Sequence, residues 1–417
     1  KDSTKKTRLI AFEFSTVQTY ILEFGDQYIR FYKDNGQILS GGSAYEIASP
    51  YLEAELFDIK FAQSADTMYI CHPNHAPRKL TRSGHTNWTL TNDVIINGPF
   101  MDHNVETTTA NPSHKSVGQT TTVTFSSTTG INSNQGFLST DVGRLLPITD
   151  GHLKITSVTS TTVVVGTVIV DLNETGSTTD FALGSFSDTT GYPACVTFFE
   201  QRLVFAATTV QPQTLFFSRS ADYENFDDKY HETVADDDAI VYTIASNQVN
   251  AIRFLTATRT LIIGTAGGEF AVNGAGVGES ITPTNILINK QSNHGAANVD
   301  GIAVGNATLF LQRAKRKIRE LAYNFDVDGY TAPDLTILAE HITESGITQM
   351  AYQEEPNSII WCVRTDGQLL GFTYQREQQV TAWHRHIFGG SFGSGNAVCE
   401  SVEVLPTDDS EYQVWVI

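Results

Sequence analysis

The chain has 417 residues, 40% of them apolar and 18% charged, a balance that belongs to folded domains and excludes a disordered polypeptide. It contains no 18-residue apolar run, so no helix that crosses a bilayer is expected. With 27 basic against 46 acidic residues the formal charge is −19. A field of that sign repels phosphates, and it fits a soluble surface or one that a polyanion slides past.

In chain order, residues 9–14, 19–24 and 28–33 read as three strands, with Gly25-Asp26 and Asn35-Gly36 as hairpin turns. Ser49-Pro50 then opens a predicted short connecting helix reaching Phe57, with Ser49 as N-cap and Pro50 at its first position. A recurring unit follows. A pair of apolar strands leads to a third strand that ends on an arginine, and an aromatic lies six or seven positions further on. The unit is seen at Arg82 and Trp88, at Arg219 and Phe226, and at Arg376 and Trp383. Its clearest copy has strands at 195–199, 203–206 and 214–218. Phe226 and Trp383 are 157 residues apart, and strand groups at 252–272 and 302–323 lie between them, so the period is about 52.

Four short strands repeated at that spacing predict a β-propeller. The chain's first strands and its last (401–404 and 412–417) each look like part of a blade. A composite blade joining the two ends would abolish open edges. Six blades are expected on that count, with seven as the alternative. The stretch from about 104 to 190 breaks the pattern. It is rich in Thr, Ser and Gly, poor in aromatics, and has predicted strands at 120–125, 142–148, 153–160 and 162–172. It reads as a small β-barrel inserted between two blades. The expected organisation is therefore propeller at 1–104, barrel at 105–190 and propeller again at 191–417. The start at Lys1 without methionine, and the end inside a strand-like run, read as a fragment of a longer polypeptide.

Candidate chemistry is sparse. After Gly274 and Gly276, Glu279 stands where a dinucleotide loop needs its third glycine, and no Lys-Ser/Thr of a P-loop follows; a hairpin or bulge is expected. Asp326 and Asp328 begin like a calcium loop, but Ile337 holds the twelfth position where a glutamate belongs. Asp236, Asp237 and Asp238, with Asp227 and Asp228 upstream, concentrate carboxylates that a glycosidase could use as acid and base. The run TRSGHTNW, 81–88, matches the Asp-box outline of sialidases only at its ends. His72 with His75, and His384 with His386, are the close histidine pairs. Neither has a recognisable third ligand, so no metal or other cofactor is expected. Cys71, Cys195, Cys362 and Cys399 lack any CxxC spacing and read as buried free thiols. No Gly-x-Ser-x-Gly elbow is present. Arg313, Lys315, Arg316, Lys317 and Arg319 form the dense basic cluster. It is placed on a hairpin tip that can touch DNA phosphates or an acidic neighbour.

Several segments resemble a family of structural proteins from tailed bacteriophages and prophages, the tail nozzle, tail tubular or packaged-DNA stabilisation proteins. They are residues 9–33, 61–88, 191–208 (GYPACVTFFEQRLVFAAT), 218–226 (SRSADYENF) and 360–388. The resemblance implies a non-enzymatic propeller subunit in the virion tail, assembled in the bacterial cytoplasm. It would form a ring with copies of itself, a hexamer by expectation, and contact tail-tube, portal-adaptor or fibre proteins. Such a ring would retain packaged DNA and let it pass at ejection. The insert resembles the small β-barrel of ubiquitin-activating enzymes. Two other readings are a glycan-binding or glycan-cleaving propeller using Asp236–Asp238, and a surface adhesin.

Overall fold

The computed structural model describes residues 4–15, 17–92, 94–229, 233–246, 248–276, 278–392, 395–407 and 411–417. Its elements are antiparallel strands with three short 3-10 segments, and no described helix is long and apolar enough to cross a membrane. The fold is a β-propeller with a small inserted barrel.

Seven sheets follow one another around the ring. The first is built from Arg8–Ser15, Gln18–Gly25 and Tyr28–Lys33, with Gly36–Gln37 and Glu46–Ala48 on its outer edge. The second runs outward from Lys60–Ser64 through Thr67–His72 and His75–Gly84 to Asn87–Thr91. The third, fourth, fifth and sixth begin at Cys195–Phe199, Ile252–Ala257, Ile302–Val304 and Ile347–Gln353, and each has four strands in sequence order. The seventh is the hairpin Val402–Pro406 and Tyr412–Val416. The predicted strands of the clearest repeat are found at Cys195–Phe199, Arg202–Ala206 and Thr214–Phe217.

A strand pair with apolar residues on both faces must be covered twice, and here each sheet is sandwiched by its two neighbours. Seven separate apolar clusters fill the seven gaps. Phe12, Met68 and Trp88 join the first sheet to the second. Cys71 and Phe205 join the second to the third, and Leu215 and Ile263 the third to the fourth. Phe254 and Phe310 follow, then Leu311 and Phe372, then Val363 and Val404. Leu9, Ile21 and Leu405 close the circle. The repeated aromatics lie in these gaps: Trp88 stacks on Phe31 at 4.5 Å and Trp383 on Phe372 at 4.4 Å.

Two expectations need correction. The chain ends do meet, but as neighbouring sheets and not as one composite blade, so the ring has seven sheets where six were favoured. Gly36–Gln37 and Glu46–Ala48 occupy the outer edge of Tyr28–Lys33, so the first sheet is already complete and has no place for the C-terminal hairpin. Side chains hold the closure instead. Leu9 N donates to Ser401 Oγ, Ser401 Oγ donates to Gln349 Oε1, and Gln349 Nε2 donates to the Val402 carbonyl. The connecting helix is a 3-10 turn, Glu53–Asp58, with Leu52 and not Ser49 at its N-cap, because Glu55 reaches back to the Leu52 amide.

Between the second and third sheets, Ala110–Pro112, Thr120–Phe125, Val163–Val170, Gly151–Ser160 and Leu145–Ile148 form one five-stranded sheet, in that order. Bridges from Ala110 to Thr178 and from Ile148 to Phe181 tie its two edges through the 178–181 segment and curl it into a barrel. Its core, including Val123, Phe125, Phe137, Leu153 and Val164, is separate from those of the ring. The chain enters and leaves side by side: Met101 N donates to the Leu183 carbonyl and Ser185 N to the Pro99 carbonyl.

Candidate functional site

Three places in the ring carry concentrated charge: the axis, the acidic loop of the third sheet and the basic hairpin of the fifth.

At the axis, innermost strands from opposite sides of the ring line a cavity of about 190 Å³ whose walls include Arg8, Lys60, Asp300 and Glu403. Lys60, only 3% exposed, pairs with Asp300 at 2.9 Å. Arg8 donates through Nη1 to the Leu56 and Ile59 carbonyls, which pins the 3-10 turn to the first sheet. Burial lowers the pKa of Arg8, and the nearby Asp300, Glu403 and Asp58 carboxylates oppose that shift. Burial raises the Glu403 carboxyl to about 7, and the Val404 amide and Arg8 only partly counter it. The axial cavity is thus lined by charged side chains, of which Lys60 and Asp300 are paired. Sequence reading did not find these residues, although the innermost strands of the first two sheets both open on a cation, Arg8 and Lys60, ahead of their apolar run.

The acidic loop is wrapped around a buried cation. Arg202, 2% exposed, donates to the carbonyls of Ser218 and Asp238 through Nη1 and to that of Asp236 through Nη2. Arg219 pairs with Asp237 at 2.9 Å and Asp238 at 3.2 Å, and Asp238 accepts the Ala235 amide. Asp237 and Asp238 use their carboxylates, and Asp236 its carbonyl, to hold a loop, which is not the arrangement of an acid–base pair.

The basic cluster lies where the sequence placed it, between the paired strands Ala307–Leu311 and Ile318–Asn324. Its five members divide. Lys317 pairs with Asp334 at 2.7 Å and Glu340 at 3.1 Å, which raises its pKa. Arg319 donates to Gln312 Oε1 and to the Ala332 carbonyl and is half-buried. Arg313, Lys315 and Arg316 are exposed, and among the described residues their side chains have no ion pair. They form the cationic tip.

The remaining candidates resolve into turns and packing. Gly276 N and Ala275 N of the glycine loop donate to Glu279 and Asn285, so those amides are already satisfied; Val277 lies outside the described residues. Asp328 accepts from Tyr323 Oη at 2.5 Å, and Asn324 caps the Phe325–Val327 turn. In the TRSGHTNW run, Arg82 stands opposite Trp88 across a hairpin. All four cysteines are free and buried, and burial raises the Cys195 and Cys399 thiols to about 12, where they are inert. His384 Nδ1 and His386 Nε2 are 2.8 Å apart beside Trp361. His72 and His75 gain a neighbour the sequence did not disclose, Glu55, which is hydrogen-bonded to His75 Nε2 at 2.8 Å.

Residues 185–405, more than half of the chain and the ring from the third sheet to the first strand of the seventh, match the bacteriophage nozzle protein family. The chain belongs to that family. It is therefore a nozzle-family protein, and a structural role in a phage tail is the one its membership supports. Comparison with curated proteins finds no sequence match. Among solved structures, the computationally designed Ika8 protein is similar at 10% identity, with 99% of this chain and 96% of that one covered and a TM-score of 0.41. YCF48 bound to D1 peptide gives 9%, 92%, 82% and 0.39 on the same measures. An auxiliary nutrient binding protein from Bacteroides thetaiotaomicron gives 10%, 74%, 81% and 0.31.

Proposed function

We propose that this nozzle-family chain is a non-enzymatic building block of the tail that surrounds the DNA passage below the portal, retaining the packaged genome and releasing it at ejection. It assembles with copies of itself, six by expectation, and meets tail-tube, portal-adaptor or fibre proteins through its loops and its barrel. The observation that carries this reading is the family match over 185–405. The passage is formed between protomers, because the axis of each blade ring is filled by Arg8, Lys60, Asp300 and Glu403 and is far too narrow for a duplex. The −19 charge suits a wall that DNA passes without sticking. Against that field, Arg313, Lys315 and Arg316 supply a small cationic tip, able to touch phosphates or an acidic neighbour without a tight grip. Phe325 and Leu338, exposed at 86% and 93% in the outer part of the fifth sheet, are suited to cover by another subunit. Four inert thiols agree with assembly in a reducing cytoplasm. The barrel acts here as an appended docking module.

The test is to locate a labelled copy in virions by electron microscopy and to follow genome release. Label is expected in the tail below the portal. Particles carrying Arg313→Gln, Lys315→Gln and Arg316→Gln together are expected to assemble but to release DNA at an altered rate. Label on the capsid shell, or its absence from particles, sinks the proposal, and unchanged release removes the role of the hairpin.

A further inference from the structure

We propose that Glu55, His72 and His75 form a binding site for a divalent transition metal, zinc by its ligand chemistry, which staples the first connecting turn to the second sheet. His72 ends one strand and His75 begins the next, so the two are direct cross-strand partners at a tight hairpin, with ring centroids 5.2 Å apart. Residues opposite each other in an antiparallel pair place their side chains on the same face. The 3-10 turn Glu53–Asp58 then brings Glu55 over that face. One ligand atom from each of the three residues falls within 4.8 Å of the other two. Two imidazoles and a carboxylate, with a fourth position left for water or another oxygen, are a donor set that suits tetrahedral zinc.

The site is also prepared. Glu55 accepts the Leu52 amide and an Asn74 side-chain hydrogen bond, so its carboxylate is oriented. His72 Nδ1 accepts the Asn74 amide and therefore carries a lone pair. A metal bound at Nδ1 would take the place of that amide hydrogen bond. Tyr51 is an independent sign. Its ring packs against His75 at 5.2 Å and His72 at 6.1 Å, it is fully buried, and its hydroxyl has no hydrogen-bond partner. A buried orphan hydroxyl is costly, and a metal-bound water would satisfy it. The consequence is mechanical. The 3-10 turn carries Leu56 and Ile59, whose carbonyls hold Arg8, and Pro73 of the hairpin accepts the Tyr192 amide at the entrance to the third sheet. A metal here ties three successive sheets at the point where the barrel's exit strand rejoins the ring.

The experiment is calorimetric titration of the chelator-treated full chain with zinc chloride, paired with cobalt(II) absorption. One zinc per chain at about micromolar affinity or tighter is expected, with visible cobalt bands of a tetrahedral site and a rise in Tm on zinc addition. His72→Ala, His75→Ala and Glu55→Gln should each weaken binding by at least about tenfold. The milder His75→Asn, checked for native circular dichroism, covers the case in which an alanine variant fails to fold. The His384→Ala/His386→Ala double variant should bind as the parent does. The inference is overturned if the parent takes up no zinc, if folded variants at Glu55, His72 and His75 bind as tightly, or if binding is lost with His384 and His386.

Discussion

At the scale of single residues, the charged groups that matter are the buried ones, and each is explained by what it holds. Arg144 and Asp141, both 0% exposed and 2.8 Å apart, clamp the barrel, because Arg144 also donates to the Gly184 carbonyl and Asn132. Arg202 does the same for the acidic loop through three carbonyls. Glu403 differs. It lines the axial cavity with no ion pair among the described residues, and burial raises its pKa to about 7. The folded state therefore holds the Glu403 proton more tightly than the unfolded chain does. The associated stability is fully present below the ordinary carboxyl range and is lost as pH rises through about 7. Thermal unfolding followed from pH 5 to pH 8 should show Tm of the parent falling, and falling less in Glu403→Gln, which carries no titrating proton. Equal slopes in the two proteins would contradict this account.

Among the elements, the weak point of the ring is its seam. The other gaps between sheets are filled by six or more buried apolar residues, whereas Leu9, Ile21 and Leu405 alone form the buried core between the seventh sheet and the first. The seventh sheet is also a bare hairpin, held by Ser401 and Gln349. Leu405→Ala should cost about 2–5 kcal/mol in denaturant unfolding. Hydrogen exchange should then be fastest in Val402–Pro406 and Arg8–Ser15, since local opening begins where apolar contact is least. Exchange that accelerates evenly around the ring would show that the seam is not special. This seam is also where the sequence was least legible. Strands such as Cys195–Phe199 and Arg202–Ala206 are continuous apolar runs bounded by turns, and their positions could be read directly. Gly36–Gln37 and Glu46–Ala48 are too short to show any period, yet they complete the first sheet and so change the blade count. The basic hairpin was legible from its flanking strands. Which of its cations are engaged was not, because Asp334 and Glu340 reach Lys317 only in the folded chain. Glu55 was invisible as a partner of His75 for the same reason: twenty positions separate them, and only the fold brings them together.

For the whole molecule, the relation of barrel to ring follows from how the chain passes between them. A module that shares its core with its host cannot be removed without exposing apolar surface, whereas one with a core of its own and a narrow neck can. Here the neck is two chain segments bonded side by side, Phe100 bridging Gly184, with the Pro99 carbonyl accepting from Ser185. The barrel's apolar residues from Ala110 to Leu183 pack among themselves, with Met101 at their margin. A cleft of about 470 Å³ opens between the two parts, lined by Val94, Ile95 and Phe186 on the ring side and by His152 and Ile169 on the barrel side. His152 is held neutral there, its pKa lowered to about 4 by burial. The neck carries the chain between the two parts. Deleting residues 101–183 and joining Phe100 to Gly184 is therefore expected to leave a ring that unfolds cooperatively, with its Tm within about 2–4 °C of the parent, the shift that ~1 kcal/mol produces in a large domain. The excised segment, expressed alone, should fold and show dispersed amide resonances. In particles, the deleted ring should retain its place in the tail if protomer contacts come from the blades, and lose it if they come from the barrel. A deletion variant that aggregates, together with an unfolded barrel fragment, would mean that the two cores depend on each other and that the neck is not a boundary.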